Sequence, residues 1–163
     1  MLRSATVLLA TLILLAGSAC GGAPEQPITK LVEPVDVKTG WFDAGVENGM
    51  NKLVPSITLR LTNISDAPVS SVQLNAIIRR TGETEEWGGA YVRAIDSNGL
   101  APGASTAPIV MRSQLGYTGT DPRTQMLKNK EFVDVRVDVY AKLGGAQWAK
   151  LTEVPVARDL LVN

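Results

Sequence analysis

Hydrophobic and polar residues alternate most regularly between Pro55 and Arg79. Ile57, Leu59 and Leu61 alternate with Ser56, Thr58, Arg60 and Thr62, and Val72, Leu74, Ala76 and Ile78 alternate with Gln73, Asn75, Ile77 and Arg79. Successive side chains of a strand point to opposite faces, so each run predicts a strand with one buried and one wet face. Asn63, Ser65, Asp66 and Pro68 between the runs are turn formers, and the whole reads as a central hairpin. The same period returns in Val133, Val135, Val137 and Val139, set against Asp134, Arg136 and Asp138 and flanked by Phe132 and Tyr140. The valine row is the expected cover for the hairpin, with the Asp-Arg-Asp row as a solvated sheet face.

Weaker patterns complete the set. Leu31 to Phe42 reads as a first strand, and Pro34 puts it at a sheet edge because proline cannot donate to a ladder. Gly40, Gly45 and Gly49, with Asp43, Glu47 and Asn48, read as a loop. Arg79 to Glu86 is a charged connection bent at Gly82. Trp87 to Ile95 is a strand weakened by paired glycines, and Ala107 to Arg112 another. Between Ser113 and Thr120 runs a polar loop containing Tyr117; Asp121 then reads as an N-cap and Pro122 as the first helical residue of a short helix over 123–129, with Met126 and Leu127 inward. Leu143 to Ala146 is a hairpin turn, Gln147 to Val156 a last strand, and residues 158–163 a tail. About seven short strands with Gly- and Pro-rich turns and one short helix in a loop predict an all-β, Ig-like Greek-key sandwich over residues 31–163.

The N-terminus has a different pattern. Met1-Leu-Arg-Ser carries one positive side chain, Ala5 to Ala16 is apolar, and Gly17, Ser18 and Ala19 are small. That is the layout of a secretory signal, with an apolar run shorter than the ~20 residues of a membrane span. Leu15-Ala-Gly-Ser-Ala-Cys20 resembles the lipobox of bacterial lipoproteins, whose signal is cut before a cysteine that then carries a diacylglycerol. The resemblance implies a signal peptide over 1–19, lipidation of Cys20, a membrane anchor, and a tether over 20–30. Gly21 is not the aspartate of an inner-membrane retention signal, so the expected place is the periplasmic face of a bacterial outer membrane.

Composition removes several chemistries. The 163 residues include no histidine, and the one cysteine is Cys20, which excludes an intrachain disulfide and zinc or iron–sulfur sites built on clustered His or Cys. The commonest general base is missing as well. Sixteen basic and sixteen acidic residues balance, so no net basic charge speaks for nucleic acid. Glu83, Glu85 and Glu86 are the densest carboxylates and read as a soluble loop tip. Asp43, Glu47 and Asn48 lack the ordered spacing of a calcium loop. Asp134 and Asp138 lie about 13 Å apart along a strand rising ~3.3 Å per residue, too far to share a proton or a metal. No cofactor is expected, and the chain reads as a non-enzyme.

Leu61-Thr-Asn63 with Ser65, Val72-Gln-Leu74, Gly82 and Leu100-Ala-Pro-Gly103 together resemble the Ig-like domains of bacterial lipoproteins named for a Phe-x-Leu-Tyr-Asp signature. The signature itself is absent; Ile77-Ile-Arg-Arg80 stands about where it falls. The resemblance implies an extracytoplasmic β-sandwich and carries over no catalytic residue. Candidate binding residues come from residue type. Trp87, Tyr91 and Arg93 share one parity of a strand, and Tyr117 sits in an inserted loop, both common settings for contact residues. The expected role is docking of a protein partner or envelope component. The alternative is a small-ligand or glycan site built on Trp41, Trp87 and Tyr117.

Overall fold

A computed structural model describes residues 26–161; the signal segment, Cys20 and most of the tether lie outside them. Among the described residues nine strands form two sheets. After a 3-10 turn at Ile28–Lys30 come β1 (Val32–Glu47), β2 (Met50–Asn63), β3 (Val72–Arg80), β4 (Gly88–Ile95), β5 (Ile109–Arg112) and β6 (Tyr117–Gly119). A helical turn α1 (Arg123–Met126) precedes β7 (Val135–Leu143), β8 (Ala149–Pro155) and β9 (Leu160–Leu161). One sheet runs β5-β2-β1-β9, with β6 also on β2; the other runs β4-β3-β7-β8. The chain changes sheets after β2, β4, β6 and β8, so β5 returns beside β2, β7 beside β3 and β9 beside β1. This is the Greek-key layout of an Ig-like sandwich.

The expected buried faces are the buried faces. Ile57, Leu59 and Leu61 oppose Val72, Leu74, Ala76 and Ile78 across the core, with Val135, Val137 and Val139 beside the latter. The expected central hairpin is not one, however. β2 and β3 belong to different sheets and face each other rather than pair. Alternation assigns faces and says nothing about neighbours. Ser56, expected on the wet side, is also buried.

The true first hairpin is β1–β2. Its tip is Asn48-Gly49, with φ of 51° and 79°. Two consecutive positive φ values make the type I′ turn that Asn-Gly favours, so the expected loop over 40–49 is strand up to Glu47. Pro34 lies within β1 opposite Leu61, on a stretch whose other side has no strand neighbour among the described residues, as an edge proline requires. A bulge between Val35 and Lys38, with Asp36 at φ 52°, shifts the parity, so Val32 and Trp41 both point inward.

Three other boundaries differ from expectation. β7 starts at Val135, and Val133 is exposed. Pro122 occupies the cap position of α1, which has no side-chain cap, while Met126 and Leu127 are buried as expected. The expected tail contains β9, parallel to β1 at Trp41 and Phe42.

Candidate functional site

The expected Trp87–Tyr91–Arg93 row divides in two. Trp87 precedes β4, where its N–H donates to Ile78 O, and its ring turns into the core. Trp41, wholly buried, lies 4.7 Å from Phe132, 5.5 Å from Tyr117 and 6.4 Å from Trp87, centroid to centroid. Tyr117 joins this cluster from β6, 5.1 Å from Trp87, and its hydroxyl donates to Val133 O at 3.2 Å. Gly116 allows that placement: a Cβ there would stand 2.0 Å from Leu53 O. One side of Tyr117 borders a cleft of about 240 Å³ shared with Phe132 and Met126. The three aromatics expected to stack on a glycan thus pack on one another.

Arg158 holds the segment that closes this cluster. Its Nε donates to Asp134 at 2.6 Å, Nη1 to Leu127 O at 3.1 Å and Nη2 to Phe132 O at 2.8 Å, while the guanidinium lies 5.1 Å from the Phe132 ring. One planar fork therefore ties down residues 127–134, which have no strand ladder of their own. Arg158→Ala should lower stability by about 2 kcal/mol, as charge-assisted hydrogen bonds exceed neutral ones. Amide hydrogen exchange across 127–134 should rise at the same time; unchanged protection there would show that the segment holds itself.

At the edge of the same end, Arg123 Nε lies 2.5 Å from Asp43 Oδ2 and joins α1 to β1 where a second bulge, between Asp43 and Val46, interrupts its pairing with β2. Burial pushes the Asp43 carboxyl up, but hydrogen bonds from Arg123 and Gly45 N–H outweigh it and leave it below its ordinary 3.8.

Tyr91 and Arg93 point outward from β4 and belong to the outer face of the β4-β3-β7-β8 sheet. Register places Tyr91 beside Asn75 and Arg93 beside Gln73 on β3, then Tyr140 and Lys142 on β7. Tyr91 is 59% exposed and donates its hydroxyl to Gln73 Oε1 at 2.6 Å. Trp148, in the turn before β8, is 38% exposed and reaches back over the sheet. Its ring is 6.2 Å from Tyr91 at an interplanar angle of 79°, with Lys142 Nζ 5.0 Å from its centroid. Tyr91 and Trp148 come from elements bordering opposite edges of the sheet and meet above it. Trp148 and Lys142 are contact residues that sequence reasoning left out. The signal was the Gly144-Gly145 turn, which folds Trp148 back toward Lys142.

The other half of this face is ionic. Asp138, expected in solvent, is buried. Arg79 Nη1 and Lys150 Nζ both close on its carboxylate, the latter at 2.8 Å. Lys150 also pairs with Glu153, which Arg136 approaches at 3.8 Å. Burial alone would raise the Asp138 carboxyl; hydrogen bonding to Lys150 and Glu153 and the charge of Arg79 hold it below its ordinary 3.8. Arg79 thus pairs inward with Asp138 rather than loosely with the neighbouring glutamates, and Glu83, Glu85 and Glu86 remain exposed on their loop. Among the described residues no group of three or more Asp and Glu side chains is arranged to hold a metal ion. Cys20 lies outside the described residues. No protein-family model matches the chain, and no curated protein matches it either.

Proposed function

We propose that the protein is an exported, non-enzymatic lipoprotein. Cys20 anchors it to the periplasmic face of an outer membrane, and the sandwich docks a cell-envelope component through the outer face of its β4-β3-β7-β8 sheet. The observation that carries the docking face is the exposed Tyr91–Trp148 pair. It is flanked by Arg93 and Lys142, neither of which forms an ion pair among the described residues. Exposed aromatics beside cations are the residue types that dominate contact surfaces. The anchor reading rests on the apolar run, the small residues and the cysteine at the N-terminus. The absence of histidine supports the non-enzymatic reading.

A photoreactive side chain at position 91 tests this in living cells, against the same group at Val110, exposed on the outer face of the other sheet. Adducts should form from position 91 and not from 110, and should disappear in Cys20→Ala. Equal labelling from both positions, or none from either, would refute the docking face.

A further inference from the structure

We infer that the docking partner of the Tyr91–Trp148 face is the anionic lipid surface of the membrane that carries the anchor. This rests on the lipid-anchored reading above. Three observations favour a bilayer over a protein or a glycan.

The first is where the chain enters the domain. Gln26, Pro27 and Ile28 share a cleft with Leu143, Ala146 and Trp148. Five residues lie between Cys20 and Gln26, and at full extension the six Cα-to-Cα steps span only about 20 Å. A chain lipidated at Cys20 therefore holds Trp148 close to the headgroups whether or not any other contact forms. The starts of β1, β3 and β8 and the ends of β2, β4 and β7 all lie at this end of the sandwich.

The second is residue chemistry. A tryptophan and a tyrosine with wet polar tips, next to Lys142 and Arg93, are side chains that settle at a membrane interface. Lys30, in the entry turn, is another exposed cation at this end, and Glu33, at the start of β1, is an exposed acid off the Tyr91–Trp148 sheet. The outward side chains of β4, β3 and β7 on this half of the sheet — Gln73, Asn75, Tyr91, Arg93, Tyr140 and Lys142 — include no acid, and Lys150 of β8 lies beside Tyr140. Asp66 and Asp96 lie on the rim loops, where Asp96 accepts a hydrogen bond from Asn98 N–H. The carboxylates of the face, Asp138 and Glu153, are in the other half and already paired.

The third is the ring geometry. Tyr91 meets Trp148 at a steep angle and Lys142 lies over the indole, so the rings do not form the open, parallel platform on which a sugar would stack.

The full chain, purified with its lipid, is placed in vesicles of phosphatidylcholine alone or mixed with phosphatidylglycerol, each carrying brominated acyl chains that quench tryptophan. Trp41 is wholly buried and Trp87 packs against it, so quenching reports Trp148. Emission should be quenched several-fold more in the phosphatidylglycerol vesicles, less at high salt, and not at all in Trp148→Phe. A basic residue near an anionic surface favours association by about fivefold. Arg93→Glu with Lys142→Glu should therefore return quenching to the phosphatidylcholine level. Mass spectrometry of the same preparation separates the two ideas. Lipid on Cys20 with unquenched Trp148 overturns this inference alone, and a protein or acidic glycan then becomes the occupant. A mature chain without lipid overturns the anchor reading and this inference with it.

Discussion

Asn63→Ala should destabilise the protein by about 3 kcal/mol, more than its small size implies. Asn63 is wholly buried at the end of β2. Its Nδ2 donates to Ala67 O at 2.9 Å and to Leu100 O at 2.8 Å, and its Oδ1 accepts from Ser65 N–H at 2.9 Å and Ser65 Oγ at 2.7 Å. Its own backbone pairs with Ala104 O and Gly103 N–H. One side chain thus replaces the sheet ladder for two loops, 64–71 and 99–104. Truncation removes all four side-chain bonds, each worth a net ~0.5–1.5 kcal/mol, and leaves Ser65 N–H without its partner, while Ala67 O keeps Ser65 Oγ and Leu100 O keeps Val69 N–H. Urea unfolding measures the effect: the midpoint should fall with the slope unchanged. Asn63→Asp should be no better, because it keeps the acceptor but presents a carboxylate to two carbonyl oxygens. A loss under ~1 kcal/mol in Asn63→Ala would mean that the loops hold their shape without it.

Asp138→Asn should cost about 2–3 kcal/mol at neutral pH, less than the ~3–5 kcal/mol of breaking a fully buried ion pair. The discount follows from its partners: the Lys150 side chain is 41% exposed and that of Arg79 18%, so both recover some hydration when the carboxylate is removed. The folded-state pKa of Asp138 is depressed, so its stabilisation is present above the unfolded value and is lost as pH falls through the folded one. The urea midpoints of wild type and Asp138→Asn should therefore differ at neutral pH and converge below the ordinary 3.8. A gap of constant size across that range would assign the effect to packing rather than charge.

The strand faces were legible in the sequence where one side of a strand is buried along its whole length, as with Ile57, Leu59 and Leu61 and the valines of β7. Strand partners were not. The same alternation is satisfied whether β2 and β3 pair in one sheet or oppose each other from two. The Asn48-Gly49 turn was present in the sequence but masked by Gly40 and Gly45 and by the bulge at Asp36, which breaks the period. Asp138 was assigned to the correct face and the wrong environment. Outward residues become buried when long neighbours close over them; Arg79 comes from a strand that the sequence did not pair with β7, and the expected hairpin to the last strand did not show that Lys150 reaches Asp138. The candidate site failed for a related reason. Parity joined Trp87 to Tyr91 and Arg93, although Trp87 stands before β4 and is free to turn inward. The partner that Tyr91 meets, Trp148, lies far along the chain and arrives only through sheet order.

The parallel pairing of β9 with β1 sets an order of events. Trp41 N–H donates to Asp159 O, Ala157 N–H to Thr39 Oγ1, and Leu160 and Leu161 lie beside Trp41 and Phe42. β1 thus waits for residues 159–161 before the middle of its far edge is covered. Synthesis delivers the N-terminus first, and contacts of such separation form late because the loop between them must close. Until residue 161 is free, the middle of β1 offers an open sheet edge. A nascent chain is then held short of its final fold, and a deletion that removes residues 159–161 acts on β1, more than a hundred residues away.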